Sequence, residues 1–383
     1  MRITGFDLFP LRLNPVKVGY RSEDELSVVA RADTIILRMN TDAGISGLGE
    51  AATIRSYFNQ TSGTLLDWLA VYEQALVGAD PRNILGVHQR MDRVSGAHAP
   101  GCHPARAAVD MACFDLIGKH HNCPVYEVLG GAYRTELELL TNLYEATAEE
   151  KAAACREYVG RGFRGLKVKI GDTMILNGFH EEHFRIEKAK LVAALEAVPE
   201  HIYIDADANQ SWGNAKIAVR VFETILRERF YPNLSLEQPL HHLDLAGHQY
   251  LRSVLPIPII LDESVVSPEA AFQIARHDAA DRIVLKINRV GGFHNARKIV
   301  NICEANSIGI SFDTMPFTKL GDTALCHLAA TVRDHYPVDA EGHLWFEDTP
   351  LRGGVTLDGG KAILSNAPGF GVELDEAALP SFS

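Results

Sequence analysis

The chain lacks most of the signatures that would place it outside the cytosol or against a charged polymer. Six cysteines in 383 residues form no C-x-x-C pair and no regular framework, which excludes a disulfide scaffold and reads as reduced, mostly buried thiols of a cytoplasmic protein. No apolar run approaches the 18 or so residues needed to cross a bilayer, and the N-terminus shows no signal core. Positive charge is in deficit, with 37 Lys and Arg against 49 Asp and Glu, a net charge of −12. Nucleic acid and anionic membrane are therefore not expected partners, since both demand dense positive charge. No G-x-S-x-G, no Walker loop and no dinucleotide fingerprint follows a strand. The histidine pairs His120-His121 and His241-His242 are adjacent rather than spaced as metal ligands, so a binuclear hydrolase centre has no support.

What is present is a change of rhythm near residue 131. Up to that point the chain reads as α+β. Thr34 to Met39 is strand-like and ends in the turn signal Asn40-Thr41-Asp42-Ala43-Gly44; Ile45 to Glu50 resumes an extended pattern. Ala105 to Lys119 carries apolar residues at helical spacing. Beyond 131, short apolar runs end in charge and are each followed by a helical segment. The runs are Leu137–Leu143, Gly165–Lys169, Ile202–Asp207, Leu234–Glu237, Ile257–Asp262, Ile283–Lys286, Ile308–Asp313 and His343–Glu347. Thr147 with Glu150 forms a capping-box pattern, and Ser267-Pro268 supplies an N-cap and a first-turn proline. Strand-end charges from 169 to 347 recur every 24 to 38 residues, near the repeat of about 30 of a (β/α)8 barrel. The expected organisation is an α+β domain over 1–131, completed by about 351–383, and a barrel over 132–350.

In such a barrel the C-terminal strand ends form one face. Here they carry Lys167 and Lys169, Asp205 and Asp207, Glu237, Asp262-Glu263, Lys286, Asp313 and Glu347-Asp348. Asp207, Glu237 and Asp262 lie on three consecutive strands about 5 Å apart, where three carboxylates repel in a partly dry site. A divalent cation resolves the repulsion, and all-oxygen ligation suits one Mg²⁺ per chain. Strand alternation puts Lys167 and Lys169 on one side, and Asp205 and Asp207 on one side, but separates Asp262 from Glu263. Two lysines this close are expected to lower each other's proton affinity, as a lysine base near neutral pH requires. Asp205, lying deeper, is expected to pair with Lys167. Lys286 falls four strands further round, so two bases would flank a substrate.

The ordered set of motifs resembles the enolase superfamily, in its muconate-lactonizing subgroup. It comprises Ala108-Val109-Asp110-Met111-Ala112-Cys113-Phe114-Asp115-Leu116, Leu129-Gly130-Gly131, Gly165-Leu166-Lys167-Val168-Lys169, Asp207-Ala208-Asn209, Glu237-Gln238-Pro239, Asp262-Glu263-Ser264 and Leu285-Lys286-Ile287. The resemblance spans nearly the whole chain. It implies a modified (β/α)7β TIM-like barrel with an N-terminal α+β capping domain. By it Asp207, Glu237 and Asp262 are Mg²⁺ ligands, Lys169 and Lys286 an acid/base pair, and Lys167 a tuning residue. The implied step is removal of a proton α to a carboxylate, giving an enediolate. A lysine on each face permits 1,1-proton transfer, that is racemisation or epimerisation of a small carboxylate such as an amino-acid derivative. Cycloisomerisation, dehydration and a noncatalytic binding role remain the alternatives. Tyr20, Tyr57, Asn209, Asp313, Glu347 and Asp348 are candidate substrate contacts, with Arg55 and Phe58 beside them on the cap. Dipeptide epimerases resemble the Phe346-Glu347-Asp348 segment but carry an acidic residue where Phe346 stands. Gly171 to His183 is expected to be an extra loop over the site mouth, and family analogy implies a homo-oligomer.

Overall fold

The computed structural model describes residues 1–13, 32–53, 60–95, 101–171, 181–228, 231–315, 318–346 and 349–379. The chain begins with an antiparallel sheet, β1 (Ile3–Leu13), β2 (Ala32–Thr41) and β3 (Ser46–Thr53), in that order. Three helices follow, α1 (Ser62–Leu76), α2 (Ile84–Ser95) and α3 (His103–His121), then the short α4 (Val125–Val128). Buried Ile35, Leu37, Met39, Leu65, Leu69, Val109 and Leu116 form the core of this cap. Gly47 and Gly49 let β3 lie directly on α3. A Cβ at either position would run into the carbonyl oxygen of Ala112 or Ala108, one helical turn apart.

The barrel is a seven-stranded parallel sheet. Its strands are β5 (Leu140–Leu143), β6 (Gly165–Lys169), β7 (Tyr203–Asp207), β8 (Leu234–Glu237), β9 (Ile259–Leu261), β10 (Arg282–Leu285) and β11 (Gly309–Phe312), hydrogen-bonded in sequence order. The crossovers are α5 (Ala148–Gly160), α6 (Glu181–Ala197), α7 (Ala215–Glu228), α8 (Leu245–Val254), α9 (Pro268–Arg276) and α11 (Phe293–Ala305), with a one-turn α10 (Ile287–Val290) after β10. Helix α12 (Lys319–Ala330) follows β11. Every residue of β6 and β7 is buried. Leu166, Val168, Ile204 and Ala206 pack outward against helices, which leaves the alternating set Lys167, Lys169, Tyr203, Asp205 and Asp207 for the barrel interior. The capping box on α5 is formed, with Thr147 Oγ1 accepting from the Glu150 N–H, and Ser267 with Pro268 opens α9.

Two strand expectations are corrected. The run Leu137–Leu143 is divided at Leu139. Its first part, β4 (Glu136–Glu138), joins a small antiparallel sheet, and only β5 enters the barrel. The eighth strand is not His343–Glu347, because Gly342–Trp345 is a 3₁₀ turn; Glu347 lies outside the described residues. Closure comes earlier, where Val338 and Asp339 make parallel bridges to Leu139 and Asp313 at the two ends of the sheet. Pro337 and the brevity of this segment hide it from a pattern reading.

Past the barrel, β12 (Leu351–Gly353) pairs with β15 (Val372–Leu374), while β13 (Thr356–Asp358) and β14 (Lys361–Ile363) continue the sheet of β4. The Phe370 N–H then donates to Asp115 on α3. A further tie between cap and barrel is the buried Glu50 of β3. It accepts from the Thr318 N–H, the Thr318 hydroxyl and the Gly321 N–H at the start of α12. Among the described residues no helix is long and apolar enough to cross a membrane.

Candidate active site

Parallel register fixes the site. Lys167 lies beside Asp205 and Lys169 beside Asp207, which in turn lies beside Glu237. Asp262 follows β9 and Lys286 follows β10, and both are buried. Lys169 Nζ donates to Asp207 Oδ2 and, at 3.3 Å, to Asn209 Oδ1, and it lies 5.5 Å from the Tyr144 ring centre. Lys286 Nζ is 2.8 Å from Asp262 Oδ2 and 3.3 Å from Asp313 Oδ2. The two lysines therefore stand four strands apart, on opposite flanks of one acidic cluster.

Lys167 does not pair with Asp205 as expected. Its Nζ donates to Glu237 Oε1 at 3.0 Å and to Asp313 Oδ2 at 2.8 Å. Asp205 instead accepts from Ser235 Oγ at 3.3 Å. The expected lowering of lysine basicity is overturned for Lys167. Burial works in that direction, but Asp313, Glu237, Asp205 and Asp207 outweigh it and hold the ammonium well above the usual lysine range. A Lys167→Met variant strands two buried carboxylates. It should lose about 3–5 kcal/mol of stability in metal-free buffer, and an unshifted thermal midpoint would contradict the bridging geometry.

Negative charge exceeds positive at this face. Among the described residues, Asp205, Asp207, Glu237, Asp262, Glu263, Asp313, Asp339 and Glu341 are set against Lys167, Lys169, Lys286, Arg289 and Arg282. The imbalance is local. Asp262 is held below the usual carboxylate range although burial opposes it, because Arg289 and then Lys286 and Lys167 outweigh burial. Glu237 is pushed well above that range, first by burial and then by Asp205 and Asp207. Glu263 rises to about 7 through burial and the charges of Asp262 and Asp207. Glu237 Oε2 is buried and has no hydrogen-bond partner among the described residues. An orphaned carboxylate oxygen among other carboxylates fits a hard divalent cation. Among the described residues, Glu237, Asp262 and Asp313 each offer one carboxylate oxygen within 4.8 Å of the others. Glu237 and Asp262 are common to this set and to the trio read from the sequence. Asp207 has its Oδ2 on Lys169 and its Oδ1 on the Asn209 N–H, 2.9 Å away.

Supporting residues that the pattern reading missed are equally specific. Arg289 Nη1 donates to both the carbonyl and Oδ1 of Asp262, at 2.7 and 2.6 Å. Gln238, in the left-handed region at φ +36°, accepts from the Asp262 N–H at 2.8 Å and so fixes that strand end. Asn288 makes two hydrogen bonds with the Ala52 backbone, seating the end of β3 two residues from Lys286. Asn142 donates to Asp339. Arg289 and Asn288 stand just after Lys286 in the sequence, so proximity to a strand-end lysine was the available signal; Asn142 and Asp339 had none. Asn209 Nδ2 lies 3.3 Å from Glu263 Oε1, near Lys169. Of the remaining candidates, Tyr20, Tyr57, Glu347 and Asp348, with Arg55, Phe58 and residues 172–180 of the expected extra loop, lie outside the described residues.

Comparison with known proteins identifies the family of both domains. Residues 12–130 match the N-terminal domain of the mandelate racemase / muconate lactonizing enzyme family, and residues 150–378 match the enolase C-terminal domain-like family. A hydrophobic dipeptide epimerase of Enterococcus faecalis is 31% identical over 366 residues, covering 94% of this chain and 98% of the relative. An N-succinyl-L-Arg/Lys racemase of Bacillus cereus is 30% identical over 387 residues, covering 99% and 97%. The crystal structure of the latter superposes with a TM-score of 0.88 at 27% identity, covering 100% of this chain and 98% of that one. The muconate lactonizing enzyme of Pseudomonas putida gives 0.87 at 25% identity, covering 100% and 99%. With both domains matched and the barrel-face carboxylates and lysines in place, the chain belongs to the mandelate racemase / muconate lactonizing enzyme family and is an isomerase-type enzyme of the enolase superfamily.

Proposed function

We propose that the protein is a Mg²⁺-dependent racemase or epimerase of a small carboxylate, an N-substituted amino-acid derivative, working in the cytoplasm as a homo-oligomer. The observation that carries this reading is the placement of Lys169 and Lys286 on opposite flanks of one carboxylate cluster, each already engaged by a different acid, Asp207 and Asp262. Lys169 Nζ takes the α-proton of one enantiomer, and the ammonium of Lys286 returns a proton to the opposite face. The reverse direction exchanges their roles. Arg289 and Gln238 hold Asp262 so that Lys286 keeps its position. Lys167, tied to Glu237 and Asp313, stays protonated and adds fixed positive charge where the substrate carboxylate gains electron density.

Asp207, Glu237 and Asp262 would hold the divalent ion. Glu237 offers its partnerless Oε2, and Asp207 stands next to it in register. When bound, such an ion supplies Lewis-acid stabilisation of the carboxylate's developing charge. Asp313 also has an oxygen within 4.8 Å of Glu237 and Asp262; Asp207 is preferred as third ligand because it opens the Asp207-Ala208-Asn209 motif and stands beside Glu237 in register. Both named amino-acid-type relatives act on derivatives substituted at nitrogen or linked through it, which supports that substrate class.

Polarimetry on a panel of enantiopure N-acyl amino acids and dipeptides with Mg²⁺ tests the reading. A change of optical rotation without change of mass is expected for at least one compound, falling to zero where the substrate has a single stereocentre. Conversion only with loss of water, or only of a muconate-type diene to a lactone, would replace this reading with the dehydratase or cycloisomerase one.

A further inference from the structure

The two lysines assigned to proton transfer are held by different devices. Lys169 lies within β6, in register with Asp207 of β7, and the ladder runs past it, since the Ile170 N–H donates to the Asp207 carbonyl at 2.7 Å. Lys286 lies beyond its ladder. Strand β10 ends at Leu285, whose carbonyl accepts from the Asp313 N–H at 3.3 Å. Lys286 itself is the N-cap of the one-turn helix α10, and its carbonyl accepts from the Arg289 and Val290 N–H groups at 3.1 and 3.2 Å. We propose, on the two-base reading above, that Asn288 and His103 are positioning residues for Lys286. They lock α10 onto the cap, so that the seating of the cap aims Lys286, whereas the sheet aims Lys169.

A single helical turn does not hold its own shape, because so few hydrogen bonds fail to offset the cost of ordering it. Helix α10 therefore takes its position from its neighbours, and the cap meets it in three places. Asn288 is buried, and its Nδ2 donates to the Ala52 carbonyl at 2.9 Å while its Oδ1 accepts from the Ala52 N–H at 3.2 Å. Using both ends of one amide on both polar groups of one β3 residue fixes the turn against sliding and rotation alike. From the first turn of α3, His103 Nδ1 donates to the Arg289 carbonyl at 2.8 Å. A carbonyl only accepts, so the ring carries its proton on Nδ1. Just past the turn, Gly292, at φ +105°, lies so close to α3 that a Cβ there would stand 2.5 Å from the Asp110 Cβ. Asp262 has a hold of its own, since its N–H donates to Gln238 at 2.8 Å. A displaced turn thus moves Lys286 relative to an acid that stays in place.

The test is α-proton exchange in D₂O from each enantiomer of one accepted N-acyl amino acid, at saturating Mg²⁺. Lys169→Ala and Lys286→Ala identify the enantiomer that each lysine serves. His103→Leu removes the donor, and Asn288→Ala removes both contacts to Ala52. In exchange from the enantiomer served by Lys286, kcat should fall roughly tenfold in the first and roughly a hundredfold in the second, with KM unchanged, as expected for a base misplaced by about 1 Å. Exchange from the other enantiomer should stay within about twofold of wild type. His103→Asn, which offers an amide N–H in place of Nδ1, should recover most of the rate lost in His103→Leu. His103 is half-buried, so its two variants decide the matter even if Asn288→Ala fails to fold. Slowing of both enantiomers alike, slowing of neither, or no recovery in His103→Asn overturns the proposal and leaves the two-base reading standing. Absence of opposite preferences in the two lysine variants overturns the two-base reading, and the proposal with it.

Discussion

Lys169→Ala should leave the enzyme able to exchange the α-proton of one enantiomer while slowing exchange from the other by about 10²- to 10⁴-fold, the usual contribution of a positioned general base. Lys286→Ala should show the reverse preference. The asymmetry follows from the register. Lys169 ends β6 and contacts Asp207, whereas Lys286 follows β10 and contacts Asp262 and Asp313. A substrate carbon held over the cluster presents one face to each. Racemisation needs both lysines, so net turnover should collapse in either variant although half the exchange reaction survives. That split separates a chemical role from a structural one, because a fold-damaging substitution would slow both enantiomers alike. Equal and full exchange of both enantiomers in both variants would reject the two-base scheme.

The second large effect concerns the cation. Treatment with a chelator should remove activity, and Mg²⁺ or Mn²⁺ should restore it. The metal-loaded protein should also be more stable by RT ln(1 + [L]/Kd), about 2.7 kcal/mol when the ion is at a hundred times its Kd. Glu237→Gln keeps the size of the side chain but removes the charge that the partnerless Oε2 would bring to the ion, so the stabilising shift should vanish with it. Asp207→Asn should weaken metal binding more than Asp313→Asn, if Asp207, which stands beside Glu237 in register, is the third ligand. Calorimetric titration of the two variants measures this difference. The opposite order would assign the third ligand to Asp313, and full activity after exhaustive chelation would remove the ion from the account.

Much of this arrangement was legible in the sequence, because strands buried on both faces leave few explanations for charge. In Gly165–Lys169 and Tyr203–Asp207 the alternation of apolar and charged residues has one consistent reading. The apolar set packs on helices and the charged set fills a barrel, as Leu166 and Val168 opposite Lys167 and Lys169 show. Pairing of individual charges was not legible. Sequence neighbours suggested Lys167 with Asp205, whereas its long side chain reaches across to Glu237 and to Asp313 on the far side of the sheet. Such choices depend on side-chain length and on the whole set of competing charges, neither of which has a period. Barrel closure escaped for a related reason. Two residues, Val338 and Asp339, do the work of a strand, too few for any alternation to register. Gln238 stood in the Glu237-Gln238-Pro239 motif and Arg289 three residues after Lys286, but that both grip the Asp262 backbone, and Arg289 its carboxylate as well, follows no period in the sequence.

The most direct check is mass spectrometry and NMR of product formed by the wild-type enzyme in D₂O with Mg²⁺, starting separately from each enantiomer of one accepted N-substituted amino acid. The account predicts a single deuterium at the α-carbon of the inverted product from either starting enantiomer. Inversion without solvent deuterium in either direction, or deuterium uptake accompanied only by loss of water, would contradict it.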